Sequence, residues 1–373
     1  MREGWEIKTI GEVCEIRSGR NQKEVENPNG KYPIYGSGGI MGYADDYLCE
    51  AGTTIIGRKG SINNPIFVET KFWNVDTAFG FSPKATILPK FLFYFCKGFN
   101  FQGMNKGTTI PSLVKTDLLQ IRIPVPSIPE QQRIVDILDR EFVKIDALKS
   151  NAEKSLQAVK DLFQATLKKE LEPKEGWTYL RLNDIYNFID YRGSTPTKLT
   201  EGIPLITAKN IKMGYLDYSI KDFISPEEYE HRQSRGVSHR GDILFTTEAP
   251  LGNIAIADKD VFSAGQRVIT FQQYPNSTKQ LNNRFYLYYF LSPSFQETLK
   301  EQATGATAQG IKASRLKEIK APLVDIRIQK SITERLDELN EKCGTLQRNY
   351  QKTLSLCDDL KLSLLRKAFN GEL

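Results

Sequence analysis

One passage of the chain occurs twice, and this duplication constrains the fold more than any other feature of the sequence. The stretch "PSIPEQQRIVDILD" (126–139) has a later counterpart in "VDIRIQKSITERLD" (324–337). Related pairs precede it, namely "GWEIKTIGEVCEI" with "GWTYLRLNDIYNF", "KFLFYF" with "RFYLYYF", and "GTTIPSLVKTDLLQIRIP" with "GATAQGIKASRLKEIKAP". A chain of 373 residues is long enough for two domains with separate cores. We therefore expect two copies of one module.

Each copy ends in a stretch with the apolar spacing of a long amphipathic helix. Within 130–171 and 328–369, apolar side chains recur every three or four positions, which is the pattern of a coiled coil. Neither stretch contains a proline after its first turn, and Pro129 stands where a missing N–H costs no helical hydrogen bond. At ~1.5 Å per residue, each helix would be roughly 60 Å long.

The chain therefore divides into four predicted segments. They are a first globular domain (1–128), a long helix (129–173), a second globular domain (174–327) and a second long helix (328–373). In the globular domains, short apolar runs such as "TTIIG" and "DILFTT" are broken by Gly, Pro and Asn, which indicates strands and turns. The expected fold class is α+β.

Connectivity favours an antiparallel pair of helices. Only "EPKE" separates the first helix from the second globular domain, which leads directly into the second helix. A domain of this size has a radius of gyration of about 15 Å, too small to return the chain along the ~60 Å of helix that parallel pairing would require. We expect a pseudo-twofold dumbbell, in which an antiparallel pair of long coiled-coil helices separates two similar mixed α/β domains.

Composition disfavours several classes of protein. The longest apolar runs, "FLFYFC" and "FYLYYFL", are far shorter than the ~20 residues of a membrane helix, and the first residues lack the apolar core of a signal peptide. We expect a cytoplasmic protein. The five cysteines form no C-x-x-C pair and the chain has only two histidines, which disfavours a zinc site or a disulfide framework. Cys343 and Cys357 occupy apolar helical positions and are expected to be buried thiols.

Sequences that resemble catalytic motifs are incomplete. "GTTIIGRKG" (52–60) has arginine and lysine where a phosphate-binding loop has lysine and a hydroxyl residue. "NPIF" (64–67) lacks the second proline of the methyltransferase motif that it resembles, and no glycine-rich cofactor loop accompanies it. The tripeptide "EIK" is too short to define a nuclease, and His231 and His239 lie in a polar, basic loop. We expect no catalytic activity, and neither a cofactor nor a metal ion in this chain.

Polar loops rich in Arg, Lys, Asn, Gln, Ser and Gly recur in both globular domains. Arg and Lys suit guanine and phosphate, and Asn and Gln suit adenine. The net charge is +6, and most of the basic excess lies in the two globular domains. The candidates for DNA contact are Arg20, Asn21, Gln22, Arg58, Lys59, Ser61, Lys106, Thr108, Thr109, Arg192, Ser194, Lys209, Asn210, Lys212, Arg235, Gln266, Arg267, Gln309 and Lys312. The alternative for any single loop is an ordinary surface turn, but the recurrence favours two readers of a bipartite, asymmetric DNA site.

Several motifs, in this order and twice over, resemble those of the specificity subunit of type I restriction–modification enzymes. They include "YPIYGSGGIMGY" (32–43), "GTTIPSL" (107–113), "IPVPSIPEQQRIVDIL" (123–138), "RGDILFTTEAPLGNIAI" (240–256) and "GATAQGI" (305–311). The resemblance covers nearly the whole chain. It implies two target recognition domains that alternate with two conserved helical repeats, in a subunit without catalytic activity of its own.

The resemblance also implies partners. These are double-stranded DNA, two modification subunits that use S-adenosylmethionine to methylate adenine and, where present, two motor–nuclease subunits that use ATP and Mg; no membrane partner is implied. The residues expected either on the methyltransferase-docking platforms at the conserved helix starts or in the seam between the helices are Glu130, Gln131, Gln132, Ile134, Leu138, Gln329, Ile332 and Leu336. The second copy lacks the second proline and the glutamate of the first. The alternatives are a coiled-coil scaffold without sequence-specific DNA binding and a stand-alone methyltransferase or nuclease.

Overall fold

The computed structural model describes residues 4–305 and 309–373, so three residues of the predicted "GATAQGI" motif, 306–308, and the first three of the predicted domain 1–128 lie outside the described residues. The chain forms two compact units. Unit 1 consists of Met1–Lys154 and Tyr350–Leu373, and unit 2 consists of Ser155–Asn349.

The strands and helices follow one another in nearly the same order in the two halves of the chain. The first half contains β1 (Glu6–Thr9), α1 (Ile10–Val13), β2 (Cys14–Ser18), β3 (Tyr32–Gly36), β4 (Gly39–Ala44), β5 (Thr53–Gly57), β6 (Ile66–Val68), β7 (Trp73–Asn74), β8 (Ala78–Pro83), α2 (Pro89–Gly98), α3 (Lys115–Leu119), β9 (Arg122–Val125) and α4 (Ile128–Leu171). The second half contains β10 (Thr178–Arg181), α5 (Leu182–Ile185), β11 (Tyr186–Asp190), β12 (Ile203–Ile206), β13 (Asp222–Ile224), α6 (Pro226–Arg232), β14 (Ile243–Thr246), β15 (Ile254–Ile256), β16 (Ser263–Ala264), β17 (Val268–Gln273), α7 (Asn283–Leu291), α8 (Pro293–Gln302), α9 (Ala313–Glu318), β18 (Lys320–Leu323) and α10 (Ile326–Asn370). Short 3-10 turns occur at Phe101–Met104 and Gln233–Arg235.

The two units share one sheet topology. Unit 1 has a four-stranded antiparallel sheet in the order β2-β8-β5-β6, a three-stranded sheet β4-β3-β7 and a two-stranded pair β1-β9. Unit 2 has β11-β17-β14-β15, β13-β12-β16 and β10-β18. In both three-stranded sheets the central strand pairs parallel with one neighbour and antiparallel with the other. The predicted α+β class and the similarity of the two modules are confirmed.

Each four-stranded sheet is covered by an aromatic helix. Strands β5 and β14 are buried along their whole length, as expected for central strands with both faces covered. Helix α2 buries Phe91, Leu92 and Phe95 in the core of unit 1, and α7 buries its aromatic residues in the core of unit 2.

The long helices run antiparallel. In unit 1, Lys149 Nζ lies 2.6 Å from Asp358 Oδ1, and Lys361 pairs with Asp146, so residue numbers rise along α10 as they fall along α4. In unit 2, Arg335 near the start of α10 pairs with Glu170 at the end of α4, with 2.7 Å between Nη2 and Oε2. The predicted antiparallel pair is therefore confirmed. Because these ion pairs are largely exposed to solvent, they contribute little to stability, and the buried apolar residues stabilise the pairing.

A buried glutamine fixes the start of α4 in unit 1. Gln131 is fully buried. Its Oε1 accepts a hydrogen bond from Leu88 N at 2.8 Å, and its Nε2 donates to Thr86 O at 3.1 Å and to Pro126 O at 2.9 Å. Leu88 is the residue that precedes α2. The amide therefore joins three separate segments and leaves no polar atom of its own unpaired.

Unit 2 repeats this arrangement. Gln329 Oε1 accepts from Asn282 N at 2.8 Å, and its Nε2 donates to Gln280 O at 3.0 Å and Val324 O at 2.8 Å. Asn282 precedes α7, just as Leu88 precedes α2. The duplicated passage thus places the same fastening in both units.

Eight residues after each glutamine, about two turns further along the long helix, an aspartate adds a second fastening. Asp139 accepts hydrogen bonds from Lys90 Nζ at 2.7 Å and from the Tyr94 hydroxyl, both on α2. Asp337 accepts from Arg284 Nε on α7 at 2.5 Å, and it also accepts from the hydroxyl of Tyr288. Burial and these aspartate contacts raise the pKa of both tyrosines, which keeps the hydroxyls protonated as donors.

The cysteines are buried free thiols, including Cys343 and Cys357 as predicted. Burial raises the pKa of Cys14 and of Cys49 to about 12. In the part of the chain that the structure describes, no helix is both long and apolar enough to cross a membrane.

Replacing Gln131 by Met is expected to destabilise unit 1 by about 1–3 kcal/mol, because the buried Pro126 carbonyl, the half-buried Leu88 N–H and the Thr86 carbonyl lose their hydrogen-bond partner. Urea unfolding and amide exchange at Leu88 would measure the loss. The neighbouring Gln132→Met is the matched control, since Gln132 is exposed and its replacement should change stability by less than about 0.5 kcal/mol. Equal effects of the two substitutions would contradict the role given to Gln131.

Candidate nucleic-acid interface

Three loops of unit 1 meet at the turn between β7 and β8. The backbone N–H groups of Arg58 and Lys59 donate to Thr77 O at 2.8 and 3.2 Å. Gly60 N donates to Pro111 O at 3.0 Å, which joins the loop after β5 to the 105–112 loop. The candidates within 58–61 and those within 106–109 therefore lie on adjacent loops that backbone hydrogen bonds fix in place.

The loop after β2 joins the same turn. Arg20 N donates to Asn74 O at 3.0 Å, and Trp73 Nε1 donates to Arg20 O at 3.1 Å. A side chain on Gly19 would place its Cβ 1.9 Å from Val75 O, so only glycine allows this close approach. The candidates of unit 1 thus lie on neighbouring loops at one edge of the sheets.

Most candidate side chains of unit 1 are available to a partner. Exposed side chains are those of Arg20, Asn21, Lys59, Ser61, Lys106, Thr108 and Thr109. Gln22 and Arg58 are half-buried. The Arg58 guanidinium donates to Asp76 O at 3.0 Å, and Lys106 lies 3.7 Å from an Asp117 carboxylate oxygen. These contacts orient the two cations without burying them.

Asn105, which the sequence analysis did not select, shapes the 105–112 loop. Its Oδ1 accepts from Gly107 N and from Ser112 N, both at 2.8 Å, and its Nδ2 donates to Gly107 O at 3.1 Å. The signal that could have identified it is its position immediately before the "KGTTIPS" loop, because Asn side chains commonly hydrogen-bond to nearby backbone in turns.

In unit 2, candidate residues line two neighbouring cavities. A cavity of about 390 Å³ is lined by Arg192, Gln266, Arg267 and Lys312 together with Glu248 and loop backbone. A second, of about 260 Å³, is lined by Lys209, Gln266 and Arg267 together with mostly apolar atoms. Five candidates from four loops are therefore brought together.

The loop at 190–196 is supported by a buried arginine that the sequence analysis missed. Arg232 is only 2 % exposed. Its guanidinium donates to Ser194 O at 2.9 Å, to Ser263 Oγ at 3.0 Å and to Ala264 O at 2.6 Å, and it lies 4.6 Å from the centre of the Tyr191 ring. Burial lowers the pKa of Arg232, but an arginine remains charged at neutral pH. In the sequence, Arg232 stands in the basic run "HRQSR", which has the composition of an exposed patch. The structure shows that Arg232 is buried whereas Arg235 is exposed.

The remaining candidates of unit 2 differ in exposure. Arg192 is half-buried and pairs with Asp190, with 2.6 Å between Nη2 and Oδ2. Arg235 is exposed and donates to Arg192 O at 2.8 Å. Lys212 is half-buried, with its Nζ 3.8 Å from Asp217 Oδ2. Gln309 and Lys312 are exposed, and Ser194 is half-buried.

Asn210 is corrected from a DNA contact to a support of its loop. It is 2 % exposed. Its Oδ1 accepts from Thr207 N at 2.9 Å, and its Nδ2 donates to Asp217 O at 3.0 Å and Ile220 O at 2.8 Å. Because its amide is buried and already hydrogen-bonded, the side chain does not reach a nucleic acid.

The residues assigned to docking also divide by burial. Gln131, Ile134, Leu138, Gln329, Ile332 and Leu336 are buried in the cores of their own units. Burial agrees with a place in the helix seam for Ile134, Leu138, Ile332 and Leu336. For Gln131 and Gln329 we correct docking to internal packing, because a partner subunit cannot touch a fully buried side chain. Gln132 is exposed, and Glu130 is half-buried beside Arg133, with 2.8 Å between Glu130 Oε2 and Arg133 Nε.

Across residues 4–305 and 309–373, there is no group of three or more His, Cys, Asp and Glu side chains that could hold a metal ion.

Comparison with known proteins identifies the family. Residues 2–158 and 174–355 match the family model described as "Type I restriction modification DNA specificity domain". The chain is 21 % identical to the type I restriction enzyme EcoDI specificity subunit of Escherichia coli, over 99 % of this chain and 88 % of that one. It is 24 % identical to the MjaVIII specificity subunit of Methanocaldococcus jannaschii, over 91 % and 86 % of the two chains.

Solved structures share the fold. One, described as "Structural basis underlying complex assembly and conformational transition of the type I R-M system", has a chain that matches with a TM-score of 0.79 at 18 % identity, over 100 % of this chain and 99 % of that one. The HsdS subunit from Thermoanaerobacter tengcongensis matches with a TM-score of 0.57 at 18 % identity, over 100 % and 98 %.

This chain belongs to the family of type I restriction–modification DNA specificity subunits. Subunits of this family are non-catalytic DNA-recognition components of restriction–modification complexes. Membership implies DNA and methyltransferase subunits as the classes of partner.

Proposed function

We propose that the chain recognises a bipartite, asymmetric DNA sequence, with one half-site read by the loops of each unit. The observation that carries this proposal is the recurrence of one loop arrangement on one sheet topology in both units, with different side chains. A shared scaffold with different loop chemistry suits two different half-sites separated by base pairs that neither unit reads.

The contacts proposed in unit 1 come from its three adjacent loops. The exposed and half-buried candidates there, Arg20, Asn21, Gln22, Arg58, Lys59, Ser61, Lys106, Thr108 and Thr109, contact phosphates and base edges. In unit 2 the corresponding set is Arg192, Ser194, Lys209, Lys212, Arg235, Gln266, Arg267, Gln309 and Lys312. The recognition domains have the bounds 1–128 and 174–327, and the helical repeats have the bounds 129–173 and 328–373.

We further infer that the chain docks two methyltransferase subunits, and two motor–nuclease subunits in complexes that contain them. The methyltransferase subunits use S-adenosylmethionine to methylate adenine, and the motor–nuclease subunits use ATP and Mg, in the cytoplasm. Exposed apolar residues on the long helices support docking. Val143 is 70 % exposed on α4 in unit 1, and Leu162 and Leu346 are exposed on the helices in unit 2. Apolar side chains left uncovered on a helix favour a protein partner.

Selection from randomised duplex DNA tests the function. The chain, assembled with methyltransferase subunits, is incubated with the pool, and the bound fraction is sequenced. We expect two short conserved blocks separated by an unconserved gap of fixed length. Binding without enrichment of any sequence would contradict the proposal and favour a scaffold without sequence-specific binding.

The double variant Arg58→Ala/Lys59→Ala is expected to weaken DNA binding and to reduce the slope of log affinity against log salt by about 1 to 2, because two phosphate contacts are lost. The matched control is Lys71→Ala/Arg122→Ala, which removes the same charge from unit 1 outside the three loops, since Arg122 is exposed on β9. Lys71 is engaged by Glu50, with 3.2 Å between Nζ and Oε2. Fluorescence anisotropy at several salt concentrations measures the affinity and the salt slope of each double variant. Equal slopes for the two double variants would remove Arg58 and Lys59 from the interface.

A further inference from the structure

We propose that Glu248 is a specificity-determining residue of unit 2, which accepts a hydrogen bond from the exocyclic amino group of a cytosine in its half-site. Glu248 is absent from the candidates chosen by sequence, which were cationic, amide and hydroxyl residues. The inference rests on the proposed function of reading a bipartite site and assigns one base contact within it.

Strand register shows that Glu248 occupies the position held by Lys59 in unit 1. Gly57 is the last residue of β5 and lies opposite Ala78, and Thr246 is the last residue of β14 and lies opposite Val268. Lys59 lies two residues after Gly57, and Glu248 lies two residues after Thr246.

The backbone around the two positions is the same. Lys59 forms an antiparallel bridge to Ser112, and Glu248 forms one to Gly310. One residue earlier, Leu113 N donates to Arg58 O at 2.9 Å, and Ile311 N donates to Thr247 O at 3.0 Å. One scaffold position therefore carries a cation in one unit and an anion in the other.

The carboxylate of Glu248 is held in place and remains accessible. Arg267 Nε lies 2.9 Å from Glu248 Oε1, and the two side chains are 51 % and 49 % exposed. Both line the cavity of about 390 Å³ with Arg192, Gln266 and Lys312. Gly310 lies across from Glu248, where an added Cβ would come within 3.3 Å of the Glu248 Cβ. The absence of a side chain on Gly310 thus leaves room at the carboxylate.

Stability does not account for a carboxylate at this position. Exposed ion pairs contribute little to folding, and an anion among the basic side chains of a DNA-binding loop is repelled by phosphates. A donor on the DNA would offset that repulsion. In the major groove, the cytosine N4 amino group is a donor that Glu and Asp recognise.

The arginine partner makes this contact selective. Arg267 neutralises the charge of Glu248 and uses one of the several lone-pair sites of the carboxylate, which leaves the others for a base. Arg267 is therefore a positioning residue for Glu248, and it stands at the register position of Thr77 in unit 1.

The test compares discrimination at each base pair of the half-site that unit 2 reads. The chain, assembled with methyltransferase subunits, competes for the selected site and for all of its single-base variants. Glu248→Ala, which removes the acceptor oxygens, is expected to reduce the preference for cytosine at one position of that half-site by about fivefold or more, and to leave the other half-site unchanged. Glu318→Ala is the matched control, since Glu318 is an exposed residue of unit 2 that pairs with Arg181 through an Oε2–Nη1 distance of 3.4 Å.

Measurements on the unaltered chain keep the test independent of folding. Replacing each cytosine of the half-site by 2-pyrimidinone removes only the amino group. We expect one such replacement to weaken binding by the unaltered chain, and to have no further effect on the Glu248→Ala variant. Two results would overturn the role of Glu248 while leaving the proposed function intact. In the first, the chain selects a bipartite site but no cytosine replacement weakens its binding. In the second, a replacement weakens binding equally for the unaltered chain and for the Glu248 variant. The absence of any selected site would overturn the proposed function itself.

Discussion

Each long helix is fixed to its globular part by a buried glutamine, and the rest of the structure depends on this fastening. Gln131 and Gln329 each hold the helix start, the chain just before it and the segment that leads into the aromatic helix. Buried amides tolerate little displacement, because each lost hydrogen bond leaves a desolvated polar group. The aspartates Asp139 and Asp337 then set the rotation of the helix against α2 and α7. Because the duplicated passage forms the same fastening in both units, its glutamine and its aspartate occur in both copies.

The main features of the fold could be predicted from the sequence because they depend on periodicity. Apolar spacing over more than ten turns predicted the long helices, and the short linker "EPKE" predicted their antiparallel direction. The role of Gln131 could not be predicted in this way. Its partners are backbone atoms of Thr86, Leu88 and Pro126, and nothing in their residue types indicates a glutamine contact. The prediction that Gln131 docks a partner requires an exposed side chain, whereas its amide is buried in the core.

The candidate site shows a similar division. Residue type predicted which loops are polar and basic, and the structure brings the loops of each unit together. Exposure within a loop could not be predicted, because Asn210 and Arg232 are of the same residue types as their exposed neighbours and yet support the loops from inside. Glu248 was missed for the opposite reason. Cationic and amide residue types indicate DNA contacts, whereas a glutamate does not, and the equivalence of Glu248 to Lys59 becomes visible only through strand register.

The central claim is that two independent readers occupy one chain. Genome-wide adenine methylation tests it most directly, in a methylation-free host that expresses the chain with its methyltransferase partner. Residues 1–128 and then 174–327 are exchanged for those of another family member. We expect a bipartite motif of which only one half changes with each exchange. A continuous motif, or a change in both halves after a single exchange, would contradict two independent readers.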